Sequence, residues 1–137
     1  MSTKKLTLPN DVQEVPRLAA FVDETCEAVG MDMSTTMQMN LAIEEAVVNV
    51  MNYAYPAGTK GEVRIEAKAR EGYVEFVISD DGTPFNPTEV KEVDTTLPAE
   101  ERSIGGLGVL LVKHYMDKVK YKYVGGQNVL TLRKNLK

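Results

Sequence analysis

Between Glu62 and Ser79 two runs of alternating apolar and polar residues, V-R-I-E-A-K-A and Y-V-E-F-V-I-S, are separated by Glu71-Gly72. A period of two sends every second side chain to the same face, and a glycine-containing break between two such runs is a tight-turn signal. The segment therefore predicts a β-hairpin with one apolar face, and that face constrains the rest of the chain, which has to cover it. Helical patterns supply the cover. Val15, Leu18, Ala19, Val22, Cys26 and Val29 recur at three- and four-residue intervals from about Asp11, and Gly30 stands where such a helix would end. Asp32 or Ser34 can cap a second, unusually apolar helix that reaches about Tyr55, where Pro56-Ala57-Gly58 forbids continuation.

Leu6 and Leu8 alternate with polar neighbours ahead of Pro9-Asn10 and predict a short first strand. K-V-K-Y-K-Y-V and N-V-L-T-L-R-K flank Gly125-Gly126 as a closing hairpin, and Val109 to Met116 reads as a short third helix. Strands and helices without regular βαβ alternation point to an α+β two-layer α/β sandwich: about five strands in a mixed sheet, with three helices on one face. Residues 1–137 are expected to form a single domain, since 137 residues at 43% hydrophobic content supply one core.

Composition removes several functions. A net charge of −4 argues against binding a phosphate backbone directly, so no nucleic-acid partner is expected. No stretch approaches the ~18 to 20 apolar residues of a membrane span, and M-S-T-K-K-L-T-L-P-N lacks the apolar core of a signal peptide. No membrane association is expected, and the chain is placed in the cytoplasm. Cys26 is a lone cysteine at helix spacing and reads as a core thiol. Met31, Met33, Met37, Met39 and Met51 cluster around the second helix and are expected to pack in the core.

In the second helix, L-A-I-E-E-A-V-V-N-V-M carries only Glu44, Glu45 and Asn49 as polar side chains. Glu45 and Asn49 lie four apart and share one face. An unpaired buried polar group costs about 1–3 kcal/mol, so a bound ligand is one reason to keep the pair. Phosphoryl transfer from ATP needs an oxygen ligand for magnesium and a carboxylate to accept the nucleophile's proton, and Asn49 and Glu45 have those chemistries. A helix with a solvated Glu44-Glu45 edge and Asn49 bonded to nearby backbone would carry the same E-x-x-x-N.

The strand V-E-F-V-I-S runs into Asp80-Asp81-Gly82-Thr83-Pro84-Phe85-Asn86-Pro87. A carboxylate at the end of an apolar strand can accept from an exocyclic amine such as that of adenine, and Gly82 would let the ring approach the backbone. A plain surface turn accounts for the same residues. Further on, Ser103-Ile104-Gly105-Gly106-Leu107-Gly108 leads into the apolar Val109-Leu110-Leu111-Val112, setting glycine amides at a helix N-terminus, as phosphate sites do. It is not a P-loop, because no Gly-Lys-Ser/Thr follows. Arg102 stands just before it and can reach phosphate oxygens or an acidic partner. The stretch from Asp80 to Gly108 holds four glycines, three prolines and many acids with little periodicity, too long for an ordinary connection.

Taken in order, E-A-V-V-N at 45–49, D-D-G-T-P-F at 80–85 and G-G-L-G at 105–108 resemble the N box and the two glycine boxes of the GHKL (Bergerat-fold) ATPases. The longer patterns Glu45-A-V-V-Asn49-x-x-x-Tyr53-A-Tyr55, Asp80-x-Gly82-x-Pro84-Phe85-x-Pro87 and Gly106-L-Gly108 with Asp117 resemble the anti-sigma serine kinase branch in particular. The resemblance spans nearly the whole chain. It implies Glu45 as general base, Asn49 on magnesium, Asp80 on adenine, and Gly82, Gly105, Gly106 and Gly108 shaping an ATP pocket, with a lid at about 88–104. It further implies that the chain phosphorylates a serine of an anti-anti-sigma (STAS-type) protein, sequesters a sigma factor and pairs as a homodimer. A non-catalytic, ATP-clamped protein-binding module is the alternative. Two departures stand out: Tyr53 replaces a histidine of many relatives, and Gly126-Gln127-Asn128 replaces a Gly-Thr pair, which puts a hydroxyl contact near adenine in doubt. His114, the one histidine, is expected to pack within the third helix, partly exposed, with no catalytic role.

Overall fold

A computed structural model describes residues 2–55, 58–86, 112 and 114–136 of the chain. The elements are strand β1 (Ser2–Pro9), a 3-10 turn at Val12–Glu14, helix α1 (Val15–Ala28), helix α2 (Met33–Tyr53), and strands β2 (Glu62–Arg70), β3 (Tyr73–Asp80), β4 (Lys118–Val124) and β5 (Gln127–Asn135). Val112, His114 and Tyr115 are helical, and the Met116 amide donates to the Val112 carbonyl at 3.1 Å, as expected for the end of the third helix.

The strands form one sheet in the order β1-β2-β3-β5-β4. Every neighbouring pair is antiparallel, so the sheet is not mixed as anticipated. The cause is the closing hairpin, which returns to β3 through β5, leaving β4 on the outer edge where its nearest partner is its own hairpin mate. Gly125 and Gly126 turn that hairpin with φ of 60° and 78°, the pair of positive values a two-residue turn of this twist requires.

Alternation decides which face is buried. Val63, Ile65 and Ala67 of β2, Val74, Phe76 and Ile78 of β3, and Leu130 and Leu132 of β5 point to one side. There they meet Leu18, Val22 and Cys26 of α1 and Met39, Ile43, Ala46, Val47 and Val50 of α2. Burying each large aliphatic or aromatic side chain of this set stabilises the fold by about 1.5–3 kcal/mol. Asp32 caps α2 by accepting from the Thr35 amide at 2.6 Å. Burial raises the Cys26 thiol pKa to about 11, so this cysteine is an inert core group.

The methionines divide. Met39 and Met51 are buried, whereas Met33 and Met37 are 85% and 66% exposed. They occupy the first turns of α2, where spacing by four puts them on the face turned from the sheet; their hydrophobicity alone did not distinguish the two faces. His114 is exposed, with its ring edge-on to Tyr115. No helix among the described residues is long and apolar enough to cross a membrane.

Candidate functional site

The C-terminus of α2 meets the end of β3, and that junction builds the site. A helix leaves its last carbonyls without intrahelical donors. At the C-cap, the Ala54 carbonyl accepts from the Thr83 amide at 2.7 Å and from Thr83 Oγ1 at 2.9 Å. One residue on, the Tyr55 hydroxyl donates to the Glu62 carbonyl at 2.6 Å and accepts from the Asp81 amide at 3.0 Å. The turn after β3 is therefore fastened to the helix that carries Glu45 and Asn49.

Gly82 has a structural reason that the sequence did not show. A Cβ built there would lie 2.4 Å from the Ala54 carbonyl oxygen, so only glycine lets the turn come this close to the helix end. Gly61 is similarly constrained, since a Cβ there would meet the Tyr55 ring at 2.3 Å.

Asp80 ends β3 with 1% exposure, facing the buried side of the sheet. Its Oδ1 accepts from the Gly82 amide at 2.8 Å and from Asn128 Nδ2 at 3.0 Å. Oδ2 is buried without a hydrogen-bond partner among the described residues. Burial, the largest influence, holds the Asp80 carboxyl above its ordinary pKa, against the lowering effect of its two donors. The adjacent Asp81 is driven the other way: Arg64 grips it with two hydrogen bonds of 3.1 Å and pulls its pKa down. Two consecutive carboxylates thus have opposite fates, one in the wall of the core and one on the surface.

On α2, Asn49 is 5% exposed and Glu45 half-buried. Tyr53, one turn beyond Asn49 on the same face, stacks on Phe85 with centroids 5.7 Å apart and rings tilted by 35°. The Phe85 amide in turn donates to Asn128 Oδ1 at 2.9 Å. A continuous set of contacts therefore runs from the polar face of α2 through Tyr53 and Phe85 to Asn128 and Asp80.

The structure fastens the turn bearing Asp80 and Gly82 to the C-terminal end of α2, the helix that also carries Glu45 and Asn49. Arg102, Gly105, Gly106 and Gly108, the span 88–104, and Pro87 lie outside the described residues. Asn128 is the residue that sequence reasoning undervalued: it was noted only as a departure, and it is buried at 3% exposure beside Asp80. The signal available was its place on the inward parity of an alternating strand, together with Leu130 and Leu132.

The residues fit a nucleotide. A buried carboxylate oxygen with no partner wants a donor, and an exocyclic amine supplies one. Among the described residues no group of three His, Cys, Asp or Glu side chains could hold a metal ion. Magnesium with a nucleotide makes no such demand, because it is usually held by one or two protein oxygens together with phosphates and water, and Asn49 offers one oxygen.

Residues 8–134 match the histidine kinase-like ATPase domain family. The serine-protein kinase RsbW of Listeria monocytogenes is 31% identical over 105 residues, which cover 74% of this chain and 67% of that protein. RsbW of Halalkalibacterium halodurans is 27% identical over 90% of this chain and 78% of its own length. In fold, the chain resembles a crystal structure of the RsbU and RsbW domains of a Mycobacterium tuberculosis protein, with a TM-score of 0.70 at 17% identity over 99% of this chain. The chain spans 33% of that larger structure.

Proposed function

This chain belongs to the histidine kinase-like ATPase domain family, and from that membership we propose that it is an ATP-dependent protein serine kinase that acts as an anti-sigma factor. It phosphorylates a serine on an anti-anti-sigma protein of the STAS type and otherwise sequesters a sigma factor. The observation that carries the nucleotide reading is Oδ2 of Asp80, buried with no partner among the described residues. The RsbW relatives, named as serine-protein kinases, supply the acceptor class.

Each residue has a task in this reading. Asp80 Oδ2 accepts from the adenine amine. The carboxamide oxygen of Asn49 is a magnesium ligand. Glu45, one turn before it, accepts the proton of the attacking serine hydroxyl as its oxygen bonds to the γ-phosphorus and the bond to the leaving phosphate oxygen breaks. ATP supplies the phosphoryl group, and magnesium neutralises charge on the phosphate oxygens. Arg102, Gly105, Gly106 and Gly108 are assigned to the phosphates, and residues 88–104 to a lid, within one domain. The site of action is the cytoplasm, where sigma factors work, and the chain acts as a homodimer.

Glu45→Gln tests the enzyme against the ATP-clamped module. Phosphotransfer to the serine partner should fall by at least about 100-fold, while calorimetric ATP affinity stays within about threefold, because Gln preserves shape and polarity. Phosphotransfer that persists at the unmodified rate would remove Glu45 as base. Absence of transfer by the unmodified protein to any partner, with ATP still bound, would favour the clamp.

A further inference from the structure

We propose that Asn128 is a positioning residue that makes the site selective for purines bearing an exocyclic amine, by locking the Asp80 carboxylate with Oδ2 as its sole free acceptor. This rests on the nucleotide-binding reading above and concerns a residue that would not itself touch the base.

The argument begins with register. β3 and β5 place Asp80 and Asn128 directly opposite one another. Both side chains point to the buried face, at 1% and 3% exposure. A carboxamide has two N–H donors and an oxygen with two lone pairs, and here all are engaged. Nδ2 donates to Asp80 Oδ1 at 3.0 Å and to the Thr83 carbonyl at 2.8 Å. Oδ1 accepts from the Phe85 amide at 2.9 Å and from the Tyr121 hydroxyl at 2.5 Å.

That saturation fixes the amide's orientation. Rotating it by half a turn would set its oxygen against the Asp80 and Thr83 oxygens and its NH2 against the Phe85 N–H. With no donor left over, Asn128 acts through Asp80 alone. Asp80 Oδ1 then has both its acceptor directions filled, by Gly82 and Asn128, so turning the carboxylate plane away from this orientation would break both bonds. A base is read by one oxygen that can only accept. An amine satisfies it, whereas a ring carbonyl in the same place sets lone pairs against lone pairs.

An apolar side chain of similar size at 128, such as leucine, removes the donor to Asp80 Oδ1 altogether. A carboxylate with Oδ1 partly released can turn, or take a proton and offer an O–H to a carbonyl. The signature of Asn128 is therefore a ratio of affinities, which loss of fold stability alone would not change.

The experiment titrates ATP and inosine triphosphate, which carries a carbonyl in place of the amine, into the unmodified protein, Asn128→Leu and Asn49→Ala. A hydrogen bond to a charged group implies a preference of the unmodified protein for ATP of at least about 10-fold. In Asn128→Leu the preference should shrink to within about threefold, and in Asn49→Ala both affinities should fall together with the ratio kept. An unchanged preference in folded Asn128→Leu would overturn the proposal, as would equal binding of both nucleotides by the unmodified protein. Binding of neither would instead overturn the nucleotide reading itself, and this proposal with it. Should Asn128→Leu not fold, the side-chain NH2 of Asn128 in the unmodified protein decides: two signals protected from solvent exchange without nucleotide support the lock, and freely exchanging ones overturn it.

Discussion

Asn128 Nδ2 donates to Oδ1 of Asp80 at 3.0 Å across the β3–β5 pair, while Oδ2 of the same carboxylate lies buried with no partner among the described residues. A charge so placed opposes folding unless something completes its shell. Sites of this kind exchange stability for ligand affinity, and several measurements expose that exchange.

Asp80→Asn should lower ATP affinity by at least about 10-fold, because an amide at this position no longer offers an ionised acceptor. Without nucleotide the same variant should melt higher, by about 2–5 °C, the range expected for relief of roughly 1 kcal/mol in a domain of this size. Calorimetry and thermal denaturation of one preparation test both; a variant that melts lower and binds normally would remove Asp80 from the site.

The pH dependence follows from the raised Asp80 pKa, caused first by burial. A carboxyl whose folded pKa exceeds its unfolded value contributes stability that is fully present below the unfolded value and is lost as pH rises through the folded one. The stability advantage of Asp80→Asn should therefore widen as pH rises through that range. ATP affinity of the unmodified protein should weaken in the opposite direction, as acidification protonates the acceptor. Denaturant titrations and binding isotherms across the acidic range check the two trends.

Gly82→Ala should destabilise the fold by about 1–3 kcal/mol, since its Cβ would fall 2.4 Å from the Ala54 carbonyl oxygen, a backbone atom that cannot swing aside. Nucleotide affinity should fall as well, because the Gly82 amide is one of the two donors that hold Asp80 Oδ1. Urea denaturation measures the first effect and titration calorimetry the second.

Tyr55→Phe removes one hydroxyl that joins two backbone segments, donating to Glu62 and accepting from Asp81. Loss of both bonds should cost about 1–3 kcal/mol. Glu45-dependent phosphotransfer at saturating ATP should be little altered, separating a fastening of the turn from chemistry on α2.

Mg-ATP should raise the melting temperature of the unmodified protein by mass action, about 2.7 kcal/mol at a concentration 100 times Kd. Asn49→Ala should remove most of the magnesium-dependent part, and ATP without magnesium should bind both proteins comparably. An undiminished shift in the variant would exclude Asn49 as the metal ligand.

Much of this arrangement could be read in the sequence, for physical reasons that differ by region. The β2–β3 hairpin declared itself through strict alternation, and α2 through its cap at Asp32 and its stop near Pro56. Asp80 drew notice because it is the first polar residue to leave an apolar strand. The relation between distant strands was less accessible: nothing local in Q-N-V-L-T-L says that Asn128 lies opposite Asp80, since register across 48 residues is set by the whole sheet. Gly82 illustrates a different shortfall. Its type was legible as permissive, but the atom it makes room for belongs to Ala54, 28 residues earlier. The antiparallel course of all five strands likewise depends on how the last hairpin returns, which no single segment encodes.

Strand β3 is enclosed by β2 on one side and β5 on the other, and Asp80 is its last residue, paired at once with Val63 and Asn128. In hydrogen-exchange terms, amides in such a strand open only by events that approach complete unfolding, whereas those of the lysine-bearing outer strand β4 can open by fraying. The carboxylate proposed to read the base is thus fixed to a strand paired on both sides, where slow exchange is expected. With its orientation settled when the chain folds, a base bound there as proposed would meet a surface that needs no ordering, and the entropy lost on binding would fall chiefly on the ligand.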